Sequence, residues 1–389
     1  MYKPMTEETK QMLINAEQFE VNGEIDLTMV ESLDKDLKKK ILEVSSVPTS
    51  EVKMLVKQFY QIQDQRKALS EQIRSIENIY NSPKDNESMF GRTKEGKVAP
   101  ASSSDSNISL QILYYVLKNM TIIENNIKKA LEIVVNSSEV GRWLVQITGI
   151  GPILAAGLIA NFDVRGKQYS SQFISYAGLN DNNRPWLGKE KSTQIINEII
   201  GNSKEITDEM VTEISIRTQW KYSYLVSNAY DEKKQRWSKA NLIKACSKIP
   251  YNADVKKLMF LVGSSFQWKC NSEKSKYGMI FSERRTLETK KNENGEYAEY
   301  AKKMLSEKNY DKSTEAYKCL SQGKLSKAHI IMRCLRYTEK IFLSHLFEEM
   351  YRVEYDKIPP RYYALEHMEG KHNKDIEPEV PYTKVSSEK

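Results

Sequence analysis

The stretch Trp143 to Asp163, WLVQITGIGPILAAGLIANFD, constrains the fold most, because its apolar run is broken once, by Gly149-Ile150-Gly151. A glycine on each side of Ile150 lets the chain reverse at φ values other residues resist, and leaves no side chain between the backbone and an approaching group. Pro152 suits the first turn of a following helix, where its missing N–H costs little. The pattern predicts two short helices around a glycine turn. Ile147, Ile150, Leu154 and Leu158 form the buried side, while Ala155, Ala156 and Gly157 are small enough to let the helices approach. This is the layout of a helix-hairpin-helix. Open amides at the start of its second helix, with the positive end of the helix dipole, make an anion site that reads no bases. Gly149, Ile150, Gly151 and the amides of Ile153 and Leu154 are therefore expected to hold a nucleic-acid phosphate, flanked by Arg142, Arg165 and Lys167. An ordinary buried helical hairpin is the plain alternative.

Downstream, Ser171-Gln-Phe-Ile-Ser-Tyr-Ala-Gly-Leu179 completes a two-part signature with the glycine turn. From about Glu139 to Leu179 the chain resembles the carboxy-terminal domain of insertion-sequence transposases of the one-ten and one-sixteen type. In that family a Gly-Ile-Gly-Pro hairpin precedes a phenylalanine-led helix ending in Tyr-Ala-Gly-Leu. Arg184-Pro-Trp186 and the segment from Gly323 to His345 look like mobile-element and prophage relatives of those transposases, and Arg184 joins the expected DNA contacts. The resemblance implies DNA as partner, with structured RNA as a second possibility, and assembly through a coiled coil. It also implies an amino-terminal ribonuclease-H-like domain with four metal-holding carboxylates, and a serine nucleophile in a Ser-Gly pair. Neither is legible here. Asp26, Glu31, Asp34 and Asp36 lie in a lysine-mixed polar segment that reads as a solvated helical face. Leu179 is followed by Asn-Asp-Asn-Asn-Arg-Pro-Trp, and Ser192 has the wrong neighbours. No catalytic, metal or cofactor residue is expected, although an active transposase with an unrecognised or partner-supplied site is the second reading and a coiled-coil scaffold the third.

Charge is unevenly spread. Between Arg217 and Lys291 stand 17 Lys and Arg against 6 Asp and Glu, a net of +11, whereas the whole chain carries +7. Trp220, Tyr222, Tyr224, Trp237, Trp268 and Tyr277 interleave with this basic block, as a surface that tracks phosphate and stacks on bases requires. The competing reading is a solvated lysine face over an aromatic core. Within the block, 206–229 reads as helix, break near Arg217 to Gln219, and helix, so a helix-turn-helix would place Trp220, Lys221 and Ser223 at the start of a recognition helix. A plain helical insertion at about 190–240 is the alternative.

The amino-terminal third follows a different rule. Leu55, Phe59, Ile62, Leu69, Ile73, Ile76 and Tyr80 keep three-four spacing with Arg66 as one polar seam position. Leu113, Val116, Met120, Ile123, Ile127, Ala130 and Val134 form a second such run. Sustained heptads predict coiled-coil seams. Residues 81–107, rich in Ser, Lys, Gly and Pro, read as a flexible linker that lets the runs fold back on each other or pair with a second subunit, the homodimer being favoured. Near the other end, Ser326 to Tyr351 predicts a long helix buried along Ile330, Cys334, Leu335, Ile341, Phe342, Leu346 and Met350. His329 and His345 there are packing or surface residues. The expected organisation is mainly α: a helical segment 1–50, coiled-coil helices 51–138, a helix-hairpin-helix domain 139–355 with its basic helical insertion, and a disordered tail 356–389. No apolar run approaches a membrane span, the start lacks a signal-peptide layout, and Cys246, Cys270, Cys319 and Cys334 have no paired spacing, so a cytoplasmic protein with reduced thiols is expected.

Overall fold

The computed structural model describes residues 20–21, 24–25, 49–80, 108–180, 186–201, 203, 205–360 and 376–388. They are mainly helical, with fourteen α-helices and two two-residue antiparallel strand pairs. The chain divides into two compact units, one of Met1–Gln146 with Gly151–Asn161 and one of Ile147–Ile150 with Phe162–Lys389. The division runs through the glycine hairpin, so the expected boundary at residue 139 is replaced by one that gives the hairpin's helices to the first unit and its turn to the second.

In the first unit, the strands β1 (Glu20–Val21) and β2 (Glu24–Ile25) pair antiparallel where a helical segment was expected. The acidic residues Asp26, Glu31, Asp34 and Asp36 and the linker 81–107 lie outside the described residues. Helices α1 (Thr49–Tyr80) and α2 (Ile108–Ser137) pack on each other. Arg66 pairs with Glu124 at 2.5 Å, while Leu69 and Ile73, further along α1, share a core with Leu117 and Leu110, further back on α2. That order is antiparallel, the arrangement within one chain that the heptads allowed. Of the expected α1 seam, Phe59, Leu69 and Ile73 are buried, together with Val52 and Val56 outside it. The α2 seam differs. Leu110, Leu117 and Leu131 are buried and Glu124 takes the third place of that seven-residue series, whereas Ile123 is 47% exposed. At the polar place of the seam, the Arg66 guanidinium pairs with Glu124.

Helices α3 (Glu139–Gln146) and α4 (Pro152–Asn161) complete the unit. Helix α4 is apolar on nearly every face and packs against α1, α2 and α3, with Ala155, Ala156 and Leu158 fully buried. A helix without a polar face can satisfy itself only inside a core, and three small residues allow close approach on several sides.

The second unit begins after α4. Helix α5 (Ser171–Tyr176) carries Phe173, whose ring meets Phe162 at 4.7 Å and Phe347 at 5.2 Å. Helices α6 (Gly188–Ile200), α7 (Asp208–Thr218) and α8 (Tyr222–Ala229), the strand pair β3 (Tyr230–Asp231) and β4 (Arg236–Trp237), and α9 (Lys239–Cys246) surround a core of their own, from Ile196 to Cys246. These elements span the range about 190–240 expected as a basic insertion, run on to Cys246 and contain a small ribbon. The rest comprises α10 (Ala253–Trp268), α11 (Lys276–Glu293), α12 (Ala298–Glu307), α13 (Glu315–Ser321) and α14 (Lys327–Tyr355). Ser326 caps α14 by accepting from His329 N, and Phe342 on α14 meets Phe266 of α10 and Tyr277 of α11, each at 5.4 Å. Ile330, Cys334, Leu335, Phe342, Leu346 and Met350 are buried as expected, and Ile341 is half-buried.

The tail differs from its expected disorder. Residues 361–375 lie outside the described residues, but 376–388 form a strap docked on α14. Thr383 donates through N and Oγ1 to the buried Glu349 carboxylate at 2.9 and 2.7 Å, Arg352 pairs with Glu388 at 2.7 Å, and Val385 is fully buried. The composition of 356–389 is polar, and polar contacts to Glu349, Arg352 and Asp356, with the buried Val385, anchor the strap. No helix among the described residues is long and apolar enough to cross a membrane. All four cysteines are free, and burial pushes the Cys246 and Cys334 thiols up to about 11.

Candidate nucleic-acid interface

The glycine turn follows from its residues. Gly149 adopts φ +106°, where a side chain is strained, and a Cβ there would stand 3.0 Å from Ser265 Oγ. That hydroxyl donates to the Gly149 carbonyl at 2.5 Å, and Ile150 N donates to Ile147 O at 3.0 Å, closing the turn. Ile147 and Ile150 are buried, as the pattern required. Gly151 is different. It is exposed, its φ is not positive, and a Cβ there would meet nothing within 4 Å. Its carbonyl accepts the first bond of α4, from Ala155 N at 3.0 Å, which makes Gly151 the N-cap. An N-cap normally supplies a side-chain oxygen to the second and third amides of its helix. Thr207, Ser238, Asn252 and Ser275 do so for α7, α9, α10 and α11. Glycine cannot, so the amides of Ile153 and Leu154 have no acceptor among the described residues.

Two of the expected flanking charges have partners of their own. Arg142 donates to the Asn136 carbonyl at 2.9 Å. Arg165 grips Asp163 at 3.0 Å, and its hydrogen bond and charge hold the Asp163 carboxyl below the usual range. Arg165 and the exposed Lys167 follow α4 in the sequence. Arg184 lies outside the described residues.

The insertion corrects the aromatic expectation. Trp220 is 6% exposed, stacks on Tyr224 at 4.3 Å and donates from Nε1 to Cys246 O at 3.2 Å, so it is core and cannot reach a base. Trp237 and Tyr277 are also buried, which leaves Trp268, at 87% exposure, as the one tryptophan of the basic block in solvent. The expected break is real. Helix α7 ends at Thr218, Gln219 takes φ 58°, and α8 starts at Tyr222 with the exposed Lys221 before it. The lysines face out. Asn228 of α8 and Asn241, Lys244, Ala245 and Lys248 line an open cleft of about 160 Å³ whose lining contains no carboxylate.

The Tyr-Ala-Gly-Leu signature has a packing role. Gly178 takes φ +66°, and a Cβ there would stand 2.5 Å from the Tyr251 ring. Asn252 N donates to Tyr176 O at 3.0 Å and Asn252 Nδ2 to Tyr176 Oη at 2.8 Å, so the signature seats the start of α10.

Three residues at the turn escaped sequence reasoning. Ser265 gives no signal in the sequence. Thr148 Oγ1 donates to Lys274 O at 3.2 Å, and Thr148 N donates to Glu379, 231 residues away. Only the Ser275-x-x-Gly278 cap pattern before α11 marks the neighbourhood of Lys276. No family model, curated protein or solved structure matches the chain.

Proposed function

We propose that the chain binds the backbone of DNA through the turn and α4 start, as a transposase-related protein of a bacterial mobile element or prophage. The observation that carries this reading is the bare N-cap. Gly151 leaves the Ile153 and Leu154 amides without an acceptor among the described residues and puts no atom within 4 Å of where its side chain would stand. Two open N–H groups at the positive end of a ten-residue helix suit a phosphate oxygen. The lysine face of the insertion supports the same reading, since clustered cations add affinity by releasing counterions. With Trp220 and Trp237 in the core, neither of these rings stacks on a base.

Gly151→Asp tests this at a site that tolerates a side chain. Aspartate is a favoured N-cap, so its carboxylate would occupy the two amides, keep or raise the melting temperature, and repel phosphate. Wild-type protein is expected to bind duplex DNA with a steep salt dependence, and the variant about tenfold or more weaker at fixed salt. Titrations on duplex, single-stranded and four-way-junction DNA and a structured RNA, read by gel, also show any cleavage. Equal affinity in the two proteins overturns the assignment. Replacing Gly149 is a poorer test, because its φ makes every substitution a stability change.

A further inference from the structure

The lysines at the end of α9 have an aromatic neighbour from outside the basic block. Trp186, two residues before α6, is 57% exposed, and its indole Nε1 donates to Ser247 O at 3.1 Å. That carbonyl belongs to the peptide joining Ser247 to Lys248, so the ring is held at a residue that lines the cleft. Helices α6 and α9 share one core through Ile196, Leu242 and Cys246, which fixes the two ends of this contact. An indole is a large apolar ring with one polar N–H. Here the N–H is satisfied while the ring stays in solvent. Trp268 is more exposed, at 87%, but has no such anchor among the described residues.

The cleft beside it is polar and basic. Lys244 and Lys248 line it with Asn228 and Asn241, and the lining holds no carboxylate to neutralise the two ammonium groups. Asn228 Nδ2 donates to Tyr224 O at 2.8 Å, and Lys248 Nζ stands 6.0 Å from the Tyr224 ring. A held ring next to paired cations suits a single strand, whose bases lie on the ring while its phosphates follow the charges. A duplex covers the faces of its own bases by stacking, so only an unpaired base can use Trp186.

We infer that Trp186 and the cleft form a site for unpaired nucleotides of a DNA strand, with Trp186 stacking on a base while Lys244 and Lys248 take the adjoining phosphates. All of these residues belong to the second unit, so the site is complete without α4. The inference rests on the proposed function for its ligand and adds to it a contact that duplex DNA does not make.

The test uses the full chain, an oligothymidylate of about twenty nucleotides and a duplex of about the same length, with binding read by anisotropy at fixed salt. Trp186→Ala should weaken binding to the single strand about tenfold, the loss that one stacked base accounts for, and leave the duplex affinity within about twofold of wild type. Trp186→Phe lacks the indole N–H but keeps a ring, so it should recover most of the single-strand affinity; a ring that served only to anchor Ser247 would not be rescued. Trp268→Ala removes the other exposed tryptophan of the second unit and should change neither affinity. A loss confined to the single strand in Trp186→Ala and restored in Trp186→Phe supports the site. No binding of the oligothymidylate, unchanged or equal effects of Trp186→Ala on the two DNAs, a loss that phenylalanine does not restore, or the same loss in Trp268→Ala overturns it. Each of these leaves the DNA reading intact while wild type binds the duplex and Gly151→Asp weakens that binding. No binding of either DNA by wild type overturns both.

Discussion

Glu339 and Glu288 are buried carboxyls of the second unit held in opposite charge states. Glu339, on α14, is 3% exposed, and burial pushes its pKa up to about 8 against weaker opposing charges of Arg336, Lys256 and Lys340. Its side chain fills the space beside Gly263 of α10, where a Cβ would stand 2.3 Å from Oε1. A carboxyl whose folded pKa is raised costs no stability below its unfolded value and progressively more as pH climbs toward 8. Glu339→Gln should therefore melt like wild type near pH 4 and be more stable by about 3 kcal/mol at pH 7, which thermal melts across that range would read. Glu288, on α11, is also buried, but Arg284, Tyr297 and Arg333 all donate to it. Burial alone would raise its pKa. The hydrogen bonds from Tyr297 and Arg333, with the charges of Arg284 and Arg333, outweigh that and hold it below the usual range. Its contribution is present above the ordinary glutamate value and lost as pH falls through the lower folded one. Glu288→Gln should cost about 3 kcal/mol at pH 7 and less at pH 3, seen as a shrinking gap between the two melting curves.

At the scale of elements, the cleft between α8 and α9 lends itself to a charge count. Lys244 and Lys248 lie one turn apart on and just past α9, with no carboxylate in the lining they share with Asn228 and Asn241. On the proposed function, replacing both by Ala should flatten the slope of log affinity against log salt by about one to two, leaving the melting temperature within a degree or two; an unchanged slope removes the cleft from the interface. What the sequence could and could not disclose divides along similar lines. Helices α1, α2 and α14 and the break at Gln219 were legible because periodicity and caps are local. The register of α2 was not, since Ile123 looks like a better seam residue than Glu124 until Arg66, 58 positions away, is placed opposite. The aromatics of the basic block misled for a related reason. Spacing alone cannot distinguish a tryptophan that stacks on Tyr224 in a core from one that stacks on a base. At the turn itself the reversal and its buried isoleucines were readable from residues 147–151, whereas Ser265 and Glu379 arrive from elsewhere in the chain.

Across the whole molecule, the basic surplus of 217–291 sits on a unit that buries Trp220, Trp237 and Tyr277 and leaves Trp268 in solvent. The path of the backbone adds something that neither charge nor packing conveys. The chain leaves its first unit at Gln146, lends four residues to the second, returns for α4, and departs for good at Asn161. The two units therefore alternate along the sequence. A fragment stopping at Gln146 lacks the apolar helix from its own centre, and one starting at Phe162 lacks the loop that Ser265 and Glu379 clasp. No single scission yields two intact halves.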